Sequence, residues 1–111
     1  MTIGNLRPAT VLIDETAILH NVQHEVARLK KQTQLFAVVK ADAYGHGMLR
    51  VAHVAKAAGA SGFCVALLDE ALDLRAANYT EPVLVLGIVP SQYAAIAAAQ
   101  TVSLPLSSVD W

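Results

Sequence analysis

The chain has little charge, one cysteine and no long apolar run. Of its 111 residues 15% are charged and the formal net charge is -1, so the basic face that neutralises a phosphate backbone is missing and no nucleic-acid partner is expected. Disorder is disfavoured too, since 55% of the residues are hydrophobic and can bury enough surface to offset chain entropy. The single cysteine, Cys64, has no partner for an internal disulfide. Set in Phe63-Cys64-Val65-Ala66-Leu67, it reads as a small core hydrophobe. No apolar stretch approaches the roughly 18 residues that cross a bilayer, and the amino terminus lacks a basic segment followed by an apolar core and cleavage site. The expectation is a cytoplasmic protein with no membrane contact.

What the chain does have is alternation. Short runs rich in β-branched residues, 9–13 (ATVLI), 35–40 (LFAVVK), 63–67 (FCVAL), 83–86 (VLVL) and 102–106 (VSLPL), are separated by longer stretches of helical period, the pattern of β/α units and a parallel sheet. Helices are expected over 15–31, 48–58, 70–77 and 91–99. Asp14 caps the first, which carries Ile18, Val22, Val26 and Leu29 on one stripe. The second turns Leu49, Ala52, Val54 and Ala55 toward the sheet, leaves Arg50, His53 and Lys56 to solvent, and stops at Gly59. The third has Asp69 as its cap and Glu70 in its first turn. The fourth follows Pro90. The closing Ser107-Ser108-Val109-Asp110-Trp111 reads as the start of a further helix.

The last four strands begin at separations of about 28, 20 and 19 residues, the rhythm of a repeated β/α unit. No linker or composition shift divides the chain. One unit over 1–111 is therefore expected, of α/β class: about four β/α units plus a preceding strand, forming the amino-terminal part of a (β/α)8 barrel of TIM type. A small open α/β sheet is the competing architecture. In a half-barrel, two outer strands present unpaired N–H and C=O groups.

Loops that follow the strands of a parallel barrel form its working face. Lys40 ends an apolar strand there, where an amine partly withdrawn from water suits a Schiff-base nucleophile; position alone favours a lysine reaching out to solvent. Its neighbours add more. Lys40-Ala41-Asp42-Ala43-Tyr44-Gly45-His46-Gly47 resembles the pyridoxal phosphate attachment motif of alanine racemases. The resemblance extends to PATVLIDETAILHNV from Pro8, to Ala58-Gly59-Ala60, to Ala66-Leu67-Leu68-Asp69-Glu70-Ala71 with Leu74-Arg75, and to Pro82-Val83-Leu84-Val85-Leu86-Gly87.

The resemblance implies an amino-terminal barrel, a carboxy-terminal β domain and a homodimer that interconverts L- and D-alanine, the latter for cell-wall peptidoglycan. It makes Lys40 the residue that holds pyridoxal 5'-phosphate and the base serving the D-alanine face. Tyr44 becomes the hydroxyl on the cofactor phosphate, and Val38 and Leu86 apolar positions beside the ring. The first strand, near 9–13, would pair outside the barrel. The opposing base, a tyrosine from the partner subunit, has no counterpart among these residues, nor do the late phosphate-binding loops or the arginine at the ring nitrogen. The remaining barrel and the β domain would lie outside the chain, and 111 residues alone are expected not to racemise alanine. Two other readings stand beside this one: a non-catalytic piece that only self-associates through its sheet edges, and a serine racemase or other pyridoxal phosphate barrel protein of related fold.

The remaining polar residues fit structural roles. Gly45 and Gly47 allow tight turns, His46 holds the loop, and Asp42 hydrogen-bonds within it. His20 and His24 are four apart on one helix face, but without Glu at position 21 or a third ligand they are expected on a solvated face, with no metal. Asp69, Glu70 and Asp73 fit helix capping better than acid catalysis.

Overall fold

Four of the five β-branched runs assemble into one parallel sheet. In the computed structural model, which describes residues 6–111, the order is α1 (Glu15–Arg28), β1 (Phe36–Val38), a helical turn α2 (Lys40–Tyr44), α3 (Met48–Ala57), β2 (Gly62–Val65), α4 (Leu68–Ala76), β3 (Val83–Val85), a 3₁₀ turn (Ser91–Tyr93), α5 (Ala94–Ala99) and β4 (Val102–Ser103). Residues 1–5 of the unit expected over 1–111 lie outside the described residues. The strands lie side by side in chain order, each parallel to the next, with β1 and β4 as edges. This is the α/β arrangement expected of the amino-terminal part of a (β/α)8 barrel.

Residues paired across a parallel sheet point to the same face, and successive residues to opposite ones. Phe63 pairs with Val83 and Val65 with Val85. All four are buried on the helix-covered face, where they form the core with Val39, Ala52, Ala55, Ala71 and Leu74. The alanines on α3 and α4 let these helices approach the sheet closely. On the other face Val38 is 42% and Leu86 48% exposed, because no helix of the described residues covers it. The chain accordingly exposes 7810 Å², against about 5,900 Å² for a compact monomer of its mass.

α1 starts as expected, with the Asp14 carboxylate accepting the Ala17 N–H at 3.1 Å, but ends at Arg28 instead of residue 31. It packs on α3. Gly59, which follows α3 at φ +111°, faces Val26, and a Cβ there would lie 3.3 Å from a Val26 methyl; the left-handed turn and the close approach both favour glycine.

Several expected elements are shorter or absent. The run 9–13 forms no strand; Val11 is 85% and Leu12 88% exposed, and no described segment gives it the ladder partner a strand requires. The last expected strand, 102–106, is only Val102–Ser103, because Pro105 has no N–H to contribute. The helix expected over 91–99 opens as the 3₁₀ turn. Residues 107–111 form bends and a turn rather than a helix, and the Trp111 indole N–H donates to the Val89 carbonyl at 2.8 Å. Leu49 is exposed, since the buried stripe of α3 runs through Met48, Ala52, Val54 and Ala55.

Arg75, on the last turn of α4, fastens the sheet end opposite the Lys40 loop. Its guanidinium donates to the carbonyls of Tyr79 (2.8 Å), Glu81 (2.9 Å), Gln100 (2.8 Å) and Thr101 (3.0 Å), joining the turns that lead into β3 and β4. Only a planar fork of donors reaches four acceptors set apart in this way. Arg75→Lys is therefore expected to destabilise the chain by about 2 kcal/mol, read as a lower midpoint in urea denaturation; an unchanged midpoint would show that the turns hold without it.

Candidate functional site

β1 stops at Val38, not at Lys40 as the sequence pattern suggested. The Val39 N–H still reaches the Cys64 carbonyl at 2.9 Å, so the ladder carries the chain one residue further. Lys40 then opens α2. Ala41, Asp42, Ala43 and Tyr44 have φ of 51°, 56°, 53° and 58°, a full turn of left-handed helix made by residues that carry Cβ atoms. Each such residue costs roughly 1–2 kcal/mol relative to the right-handed form.

Hydrogen bonds hold the turn in place. The Ala43 N–H donates to the Val39 carbonyl at 3.0 Å, and the Gly45 and Gly47 N–H groups to the Asp42 carbonyl at 3.1 and 2.8 Å. Gly45 and Gly47 themselves lie at φ 90° and 96°, as the tight turns demand. The Asp42 carboxylate accepts the Met48 N–H at 2.8 Å, capping the start of α3. His46 donates through Nδ1 to the Ala43 carbonyl at 3.1 Å. Both side chains thus stabilise the loop. At its other end the Ala41 N–H donates to Glu70 Oε2 at 2.6 Å.

That bond reveals how α4 begins. The cap is Leu67, not Asp69; Asp69 lies exposed in the first turn. Glu70 reaches back instead, its Oε1 accepting the N–H groups of Ala66 and Leu67 at 2.9 and 2.8 Å. Acidity at the start of the helix is legible in the sequence, but the link to the Lys40 turn joins residues 29 apart and has no local signal.

The four residues singled out for the site stand at the edge where the strands end. Lys40 is half-buried, with Nζ 5.9 Å from the centroid of the Tyr44 ring, within cation–π reach. Tyr44 is 64% exposed, leaving its hydroxyl free to meet a ligand. Val38, two residues before Lys40, and Leu86, just past β3, line the uncovered face. Cys64 is buried in β2 beside Val38, and burial pushes its thiol above the ordinary range, consistent with packing. His20 and His24 are exposed on α1.

A parallel sheet covered by helices on one side, with an amine, a hydroxyl and apolar side chains at the carboxyl ends of its strands, is the α/β arrangement of the amino-terminal part of a β/α barrel. Comparison with known proteins narrows this. The family described as "Alanine racemase, N-terminal domain" matches residues 13–111. The alanine racemase of Lacticaseibacillus casei (strain BL23) is 88% identical over 111 residues, all of this chain and 29% of that protein. The crystal structure of alanine racemase from E. faecalis superposes with a TM-score of 0.96 at 46% identity, covering 100% of this chain and 30% of that one. A histidine racemase from Leuconostoc mesenteroides subsp. sake NBRC 102480 gives a TM-score of 0.75 at 38% identity over 85% of this chain and 25% of its own. The chain belongs to the alanine racemase N-terminal domain family, and spans 29% of the length of the L. casei relative.

The left-handed turn predicts an inversion of the usual glycine effect. Ala41→Gly, at exposed positive φ, is expected to raise stability by about 0.5–1 kcal/mol, the relieved strain exceeding the added chain entropy. Ala57→Gly, exposed within right-handed α3, is expected to lower it by about 1 kcal/mol. Urea denaturation of the two variants decides: equal losses at both positions would mean that the turn is not left-handed in solution.

Proposed function

We propose that this chain forms the amino-terminal part of a pyridoxal 5'-phosphate-dependent alanine racemase, with the remaining barrel strands and a carboxy-terminal β domain outside it. The observation that carries the reading is Lys40 on a rigid turn at the carboxyl edge of a parallel sheet, in a chain of this family. The residues present suit the cofactor. A primary amine answers its aldehyde, the exposed Tyr44 hydroxyl answers its phosphate, and Val38 and Leu86 offer apolar surface to its ring from the open face of the sheet. Among the described residues no group of three His, Cys, Asp or Glu gathers as a metal site, and this chemistry calls for none.

When bound, the cofactor supplies the electron sink for the negative charge left on the alanine Cα. Lys40 holds it and, once its amine is free, takes or returns the Cα proton on one face. A racemase needs a base on each face, because a single base returning the proton to the side it left changes nothing. Tyr44 is occupied with the phosphate in this reading. As the resemblance to alanine racemases implies, the second base is a tyrosine of a partner subunit in a homodimer, and the chain alone is expected not to racemise alanine. The likeness to a histidine racemase means that this portion of the scaffold serves more than one substrate, so a serine racemase remains the second reading for the whole protein. Among the described residues no helix is long and apolar enough to cross a membrane. The proposed setting is the cytoplasm, where the product feeds peptidoglycan.

The test is covalent trapping. Chain mixed with pyridoxal 5'-phosphate and reduced with borohydride is expected to gain one adduct, mapping to Lys40 and abolished by Lys40→Ala. Adducts spread equally over Lys30, Lys31 and Lys56, or no adduct at all, would overturn the assignment of Lys40.

A further inference from the structure

Three carboxylates cluster at the start of α4, and only one of them faces inward. Asp69 and Asp73 are exposed, whereas Glu70 is half-buried and accepts three backbone N–H groups. Two of these, from Ala66 and Leu67, belong to the start of its own helix and need no explanation beyond capping. The third does. Glu70 Oε2 receives the N–H of Ala41 at 2.6 Å, from a residue 29 positions away and outside its own helix.

Ala41 follows Lys40 directly and is the first residue of the left-handed turn. Like any residue in the first turn of a helix, its N–H has no acceptor within the turn. A hydrogen bond to this N–H fixes the plane of the Lys40–Ala41 peptide, because that unit is rigid. The plane in turn sets the backbone rotation at Lys40 and hence the direction in which its side chain leaves the sheet. We infer that Glu70 is the positioning residue of Lys40: its carboxylate joins the end of β2 to the lysine turn and aims the amine. The inference rests on Lys40 being the cofactor lysine. Glu70 touches neither substrate nor cofactor in this role and acts through Ala41.

Glutamine separates the anchor from the cap. In Glu70→Gln the amide oxygen can keep the Ala66 and Leu67 N–H bonds, which share one carboxylate oxygen, while the amide nitrogen then meets the Ala41 N–H as donor against donor. In the full-length holoenzyme this variant is expected to melt within a few degrees of wild type. Its Ala41 amide should exchange with solvent faster, on the order of tenfold. Its kcat should fall by up to about 10²-fold, as displacement of a reacting group by an ångström does, with KM for alanine little changed. Glu70→Ala loses all three bonds and should lower both melting temperature and kcat, while Asp73→Asn, on the same helix, should change neither. Wild-type kcat and wild-type Ala41 protection in Glu70→Gln would overturn the inference, as would a change confined to KM or a loss of activity matched by a fall in melting temperature. A wild-type protein that racemises no amino acid would refute the functional reading instead, and the exchange of Ala41 would still decide whether Glu70 anchors the turn.

Discussion

A left-handed backbone over Ala41–Tyr44 costs energy at every residue, and the chain keeps it because the polar groups around it are tied down. Val39 holds it from the strand side, the Asp42 carboxylate joins it to α3 through Met48, and Glu70 joins it to the end of β2 through Ala41. These ties belong to three different elements, so the turn forms only when the sheet and both flanking helices are in place. Backbone strain persists only where the surroundings over-determine it. Here they do so at the residue after the lysine.

A lysine side chain has four rotatable bonds and loses much freedom when held in one direction. Fixing its backbone removes the first source of wandering without burying the amine, which would oppose its contact with solvent and ligand. Tyr44 sits at the far end of the same turn, so amine and hydroxyl are placed by one rigid unit rather than by two loops. The glycines that follow let the chain leave the turn at once and enter α3.

The sheet was legible because β-branched runs at regular spacing admit few other arrangements, and the helices because their apolar stripes face that sheet. Errors fell where tertiary partners decide. The run 9–13 has strand composition but no ladder partner, and Pro105 shortens β4 despite the apolar residues around it. LFAVVK reads as a strand that ends on Lys40, because nothing in it announces that the pairing stops two residues earlier, at Val38. The left-handed turn was invisible, since Ala-Asp-Ala-Tyr is ordinary sequence for a right-handed helix and only Gly45 and Gly47 hint at unusual φ. Glu70 could be read as helix-starting charge from its neighbours. Its bond to Ala41 depends on how β1 and β2 align, a register that sets Val38 opposite Cys64.

The two faces of the sheet differ for a physical reason. The helix face is closed by alanine-rich surfaces, and among the described residues its core holds no polar side chain. The open face keeps Val38 and Leu86 half exposed at the edge where Lys40 and Tyr44 stand. Apolar surface left uncovered near convergent polar groups is what a pocket wall looks like before its opposite wall is added. On the proposed reading, this side of the chain supplies one wall of a cofactor pocket, with the Lys40 amine at its rim. A turn held by backbone hydrogen bonds tolerates such openness, because its geometry does not depend on packing against that open face.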